Sequence, residues 1–196
     1  MAKLYFRYGA MGSGKTTALL QVVYNYKQKG IPVILVKPSI DTKGNDFVIS
    51  RIGISAQVDV KLAAADNILD VIDTSIGAIV VDEAQFLTRE QIDSLYFDVS
   101  KGLNIPVICY GLRADFLSNS FPGSARLLTL ADDIEELKTI CKCGKKASHN
   151  LRLVDGEPSF SGNQVEIDNQ ANIQYEGVCG DCYFKIRNEE TKKKTL

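Results

Sequence analysis

At 196 residues with 45% hydrophobic side chains, the chain can bury one sizeable core and beside it a small satellite unit. A formal net charge of -1 leaves no global basic field to recruit nucleic acid or an anionic membrane. No apolar run approaches the roughly 18 residues that cross a bilayer, and no charged-then-apolar leader opens the sequence, so a cytoplasmic protein without membrane partners is expected.

The apolar run Leu4-Tyr5-Phe6 reads as a strand, and Gly9-Ala10-Met11-Gly12-Ser13-Gly14-Lys15-Thr16 directly after it is a G-x-x-x-x-G-K-[ST] phosphate-binding loop. Its glycines let successive backbone N–H groups turn on one anion, and the helix that follows presents its positive end there. Lys15 is expected to neutralise the β- and γ-phosphates of ATP, and Thr16 to offer its hydroxyl to Mg2+. Ala18, Leu19, Val22, Val23 and Tyr26 recur at helical spacing, and this helix stops at Gly30. Val33-Ile34-Leu35-Val36 is a continuous apolar run, as in a parallel strand covered on both faces.

Residues 37–46 are polar and turn-rich, a loop at the carboxyl end of that strand, where open α/β sheets bind ligands. Residues 63–72 carry a helical pattern. Ala78-Ile79-Val80-Val81 is another buried strand and ends in Asp82-Glu83, with Asp82 placed to hold Mg2+ directly or through its water. Glu83, one residue on, can take a proton from whatever attacks the γ-phosphate: water in an ATPase, an alcohol in a kinase. Asp82-Glu83-Ala84-Gln85 is similar to the DEAx box of helicases, but a helicase motor needs two such cores and this chain supplies one. Thr88-Arg89-Glu90-Gln91 matches a capping box and opens a helix to about Lys101, closed by Gly102. Ile105-Pro106-Val107-Ile108-Cys109-Tyr110 is a further strand in which Cys109 acts as a small hydrophobe. The alternation predicts an α/β fold of the P-loop NTPase kind, a mostly parallel sheet flanked by helices. Residues 111–124 are long for a connection and read as disordered or as a lid over the site.

From Ile134 charged, strand-like residues lead to two cysteine pairs, Cys141 with Cys143 and Cys179 with Cys182. Four thiols so paired suit a structural, tetrahedral zinc with no place for a catalytic water. His149, the sole histidine, reads as a loop residue, with service as a substitute ligand the lesser option. Residues 187–196 are polar and Lys-rich without apolar period. The expected organisation is a nucleotide-binding domain over 1–138, a zinc-binding unit over 139–187 and a disordered tail over 188–196. A small-molecule kinase and a zinc-ribbon NTPase that switches on nucleic acid or a partner protein both fit these parts.

In this order and at this size, the motifs resemble the type II (cellular-type) thymidine kinases over nearly the whole chain. The landmarks are Met11 within the phosphate loop, Asp41-Thr42, Ser50-Arg51-Ile52-Gly53, Asp82-Glu83-Ala84-Gln85-Phe86, and Gly111-Leu112 followed by Phe116. The resemblance implies ATP-dependent phosphorylation of the 5′-hydroxyl of deoxythymidine to dTMP, in nucleotide salvage for DNA synthesis. It makes Glu83 the base, gives the phosphates and Mg2+ to the loop and to residues 82–85, and sets Met11, Arg51, Gln85, Phe86, Phe116 and Tyr175 around the substrate. It also implies a Zn2+-anchored lasso closing over thymine, a homotetramer, and feedback inhibition by dTTP. Phosphorylation of another nucleoside, such as deoxyuridine, is the alternative within the same machinery. Three positions depart from the family pattern: one residue separates Cys141 from Cys143 where two are usual, Lys43 stands where Arg is usual, and Asp168-Asn169 replaces a Gly-Gly pair. Lys43 keeps the charge but lacks the bidentate fork.

Overall fold

The computed structural model describes residues 1–73, 75–164 and 173–193. The apolar runs become strands β1 (Leu4–Tyr8), β2 (Val33–Pro38), and, after a hairpin of β3 (Phe47–Ile49) and β4 (Ser55–Gln57), β5 (Val60–Leu62). Helix α1 (Lys15–Gln28) joins β1 to β2. Next come β6 (Ala78–Val81), α2 (Arg89–Ser94) running on into π-helical turns over Leu95–Gly102, β7 (Val107–Gly111), α3 (Pro122–Leu130) and β8 (Asp133–Glu136). Six of these strands form one sheet in the order β5-β2-β6-β7-β1-β8, and every pairing is parallel. Parallel strands share one carboxyl edge, so the loop after β1 and the acidic end of β6 meet there.

Both faces of the sheet are covered, which is why its central strands read as unbroken apolar runs. On one face Ile92, Leu95, Val99 and Leu127 pack on Leu4, Phe6, Ile79 and Val81; on the other, Leu19 and Val23 of α1 pack on Leu35, Val80 and Tyr110. The expected stripe of α1 faces that core, with Ala18, Val22 and Tyr26 only partly buried, and Gly30 follows it in the left-handed region at φ +67°. The capping box of α2 forms as read: Thr88 Oγ1 accepts from the Gln91 N–H at 3.2 Å and Gln91 Oε1 from the Thr88 N–H at 3.0 Å.

Three sequence expectations are corrected. The helix over residues 63–72 is reduced to a single 3-10 turn, Ile68–Asp70, because short polar side chains capture the backbone donors: Asp66 Oδ2 accepts from Ala63 N–H and Asn67 Oδ1 from Leu69 N–H. Of the two readings of residues 111–124, disorder or a lid over the site, disorder is the one that fails. Asp115 Oδ1 ties the N–H groups of Leu117 and Asn119, and Pro122, at the first helical position, starts α3. The tail read as disorder from residue 188 continues helix α4 (Gly180–Lys193). There Tyr183 anchors the helix in a core, and Lys192 and Lys193 suit its negative C-terminal end. Residues 194–196 lie outside the described residues.

The cysteine pairs belong to a small lobe. Strands β9 (His149–Val154), β10 (Glu157–Pro158) and β11 (Ile173–Val178) form an antiparallel sheet in the order β10-β9-β11, with Tyr175 opposite Arg152. Asp168-Asn169 lies outside the described residues. Among the described residues no helix is long and apolar enough to cross a membrane.

Candidate active site

The turn after β1 is built for close approach. A Cβ on Gly9 would stand 2.4 Å from both Leu137 O and Ser13 Oγ, and Gly12 and Gly14 hold φ at +80°, a conformation that side chains resist. Lys15, at the first position of α1, is buried, and its Nζ donates to Gly9 O and Ala10 O, each at 3.0 Å. Burial lowers its pKa, while Glu83 and Asp82 pull the other way. Thr16 follows in the first turn of α1. Arg51, from the turn between β3 and β4, overhangs the loop, its Nη1 3.8 Å from where a Gly12 Cβ would sit.

Asp82 leaves β6 almost fully buried, its N–H bonded to Val36 O at 3.0 Å. Burial, and then the neighbouring Glu83 charge, push its carboxyl up to about 8. Such a carboxylate gains from a cation beside it, and with the Thr16 hydroxyl it offers the hard oxygen donors that Mg2+ takes. Glu83 sits in the left-handed region at φ 48°, ψ 39°, which costs a non-glycine residue on the order of 1 kcal/mol and is held by its surroundings. Gln85 Nε2 donates to Glu83 Oε2 at 2.5 Å, and Gln85 Oε1 accepts from the Leu112 N–H at 3.0 Å.

Met11, Arg51, Gln85, Phe86, Phe116 and Tyr175 line one cleft of about 470 Å³, and Glu83 lines it too. That volume suits a small organic ligand. Lys15, Thr16 and Asp82 are not on its wall; Met11 and Glu83 are where the phosphate loop and the strand end reach it. The aromatic residues are fixed in pairs, Phe116 with Tyr175 at 6.5 Å between ring centres and Phe86 edge-on to Phe121 at 5.6 Å. The Arg152 guanidinium lies 4.4 Å over the Phe116 ring.

Several lining residues escaped the sequence reading. Asn150 bridges the lobe to the body, its Oδ1 accepting from the Met11 N–H at 2.8 Å and its Nδ2 donating to Ala114 O at 2.9 Å. Gln164 Nε2 reaches Asp115 Oδ2 at 3.0 Å, and behind the wall Lys37, buried at the end of β2, pairs with Oδ2 of the lining residue Asp41 at 3.1 Å and donates to the Lys43 carbonyl. None sits in a chemical motif; only the polar character of Lys37 at the end of an apolar strand was a visible signal.

The metal-ligand atoms of Cys141, Cys143, Cys179 and Cys182 all lie within 4.8 Å of one another, so the four can hold a metal ion. A tetrahedral zinc with bonds of about 2.3 Å sets its sulfurs roughly 3.8 Å apart, so the set fits that ion. The shortened Cys141-x-Cys143 spacing is absorbed by a tight turn: the Gly144 N–H bonds Cys141 O at 2.8 Å and Gly144 holds φ at +84°. Backbone N–H groups of Cys143 and Cys179 lower the Cys141 thiol to about 6, favouring the thiolate a metal takes. His149 is outside the group and stacks on Tyr183 at 4.9 Å.

Residues 2–183 match the thymidine kinase family. The chain belongs to that family. It is 47% identical to the thymidine kinase of Rhodopirellula baltica, over 91% of this chain and 86% of that one, and 47% identical to the thymidine kinase of Chromobacterium violaceum, over 93% and 98%. The thymidine kinase of Francisella tularensis subsp. tularensis is 42% identical over 91% of this chain and 95% of its own. A Bacteroides Pif1 structure is similar at TM-score 0.41 and 15% identity over 69% of this chain and 38% of that one.

Proposed function

We propose that this thymidine kinase family member transfers the γ-phosphate of ATP to the 5′-hydroxyl of deoxythymidine, with Glu83 as the base. The observation that carries the assignment of Glu83 is its place: a carboxylate held in a left-handed conformation beside the phosphate loop, on the wall of a cleft flanked by Phe86, Phe116 and Tyr175. In the reaction Glu83 accepts the hydroxyl proton, the freed oxygen forms its bond to the γ-phosphorus, and the bond from that phosphorus to the β–γ bridging oxygen breaks to release ADP. The backbone of residues 9–14 and the Lys15 ammonium cradle the phosphates, with residues 82–85 facing them from β6. Thr16 and Asp82 hold the Mg2+, which neutralises charge on the β- and γ-oxygens when bound. Met11, Arg51, Phe86, Phe116 and Tyr175 enclose the nucleoside. Cys141, Cys143, Cys179 and Cys182 hold a structural Zn2+ that fastens the lobe bearing Tyr175. Family membership supports the further reading of a cytoplasmic homotetramer inhibited by dTTP.

Glu83→Gln is expected to keep ATP binding and lower transfer of labelled phosphate to thymidine by on the order of 10² to 10⁴-fold. Unchanged turnover would remove Glu83 from the reaction. A parallel panel of nucleosides separates thymidine from deoxyuridine as the preferred acceptor.

A further inference from the structure

Gln85 lies in the segment that the phosphates and nucleoside share, yet its amide is engaged within the protein. The side chain is 1% exposed, its Nε2 donates to Glu83 Oε2, and its Oε1 accepts from the Leu112 backbone. The seat on the β7 side is cut to shape: a Cβ on Gly111 would stand 2.6 Å from Gln85 Oε1, so glycine is required for the amide to lie there. On the other side, α3 closes on the same turn, where a Cβ on Gly123 would meet the carbonyls of Ala84 and Leu87 at 2.7 Å. The amide therefore runs from a rigid strand end to one oxygen of a carboxylate whose own backbone is held in an uncommon conformation.

We infer that Gln85 is a positioning residue: by holding Oε2 of Glu83 against the end of β7, it leaves Oε1 to meet the acceptor hydroxyl. This rests on the reading of Glu83 as the base. An amide that donates to the carboxylate cannot take its proton, and it fixes which oxygen does. Orientation of the base matters when the proton moves, so the residue acts on turnover and leaves ground-state binding unchanged.

Gln85→Met keeps the side-chain length and removes both polar atoms. In steady-state kinetics with full-length enzyme its kcat is expected to fall by up to about 10²-fold, while calorimetry shows thymidine binding within about twofold of the parent. Gly111→Ala, which displaces the same amide without altering its chemistry, should reproduce this split between kcat and affinity. In a Glu83→Gln background, Gln85→Met should cost less than about twofold more, because a support for an absent base has nothing left to orient. Losses that multiply in the double variant, or a weakened thymidine affinity that accounts for the loss in both single variants, overturn the positioning role alone. Unchanged turnover in Glu83→Gln by itself overturns the base and the positioning role with it.

Discussion

The sheet body and the cysteine lobe hold the two sides of one cleft by different means. In the body, whole side chains such as Leu4, Phe6, Ile79, Ile92 and Leu127 are removed from water between the sheet and its helices. At roughly 1.5–3 kcal/mol for each such burial, the body can offset the entropy of ordering its own chain. Among the described residues the lobe buries Cys141, Ala147, Leu151, Val178, Cys179 and Tyr183, with Leu153, Phe160 and Ile186 packed against them, and two of the buried six are cysteines of the group that can hold a metal. So small a core needs a staple. The phosphate loop and Glu83 thus stand on the larger core, while Tyr175 stands on a small one that a metal on the four thiols would staple.

Cys179→Ser is the strongest way to break this contrast. A structural zinc supplies roughly 10–16 kcal/mol of apparent folding energy in small domains, so losing a ligand should undo the lobe. Thymidine turnover is expected to fall by more than about 10²-fold, while a fluorescent ATP analogue still binds the phosphate loop. Loss of ATP binding as well would show that the body leans on the lobe. The converse variant is Ile92→Ala, at a site with 0% exposure on the helix side of the sheet. It should lower stability to urea by about 2–5 kcal/mol, with bound zinc retained in the folded protein by elemental analysis.

The same contrast governs what could be read in advance. The strands of the body announce themselves as apolar runs because they are covered on both faces, and the phosphate loop as a motif because only glycines permit its turns. The capping box at Thr88 is local and was legible for the same reason. Residues 63–72 have apolar spacing, yet Asp66 and Asn67 divert the backbone donors, a competition that periodicity does not register. The wall formed by residues 112–121 depends on Asp115 tying its own loop, and Asn150 gains meaning only when β9 is laid against Met11. Contacts across the joint between lobe and body are invisible to patterns along the chain.

Tyr183 makes the finest cut at that joint. Its hydroxyl donates to Phe116 O at 2.7 Å, so a residue in the core of the lobe holds the backbone of an aromatic residue on the body side of the cleft. The ring is retained in Tyr183→Phe, and with it the stacking on His149 and the edge contact with Phe160 at 5.6 Å. Only the hydrogen bond is lost, a change of about 1 kcal/mol that leaves a buried carbonyl without this donor. If the bond sets the position of Phe116 against the nucleoside, thymidine KM should rise roughly fivefold while the KM for ATP and the retention of zinc are unchanged. A matching rise in both KM values would mean that the bond steadies the whole chain, and the division between body and lobe would have to be drawn elsewhere.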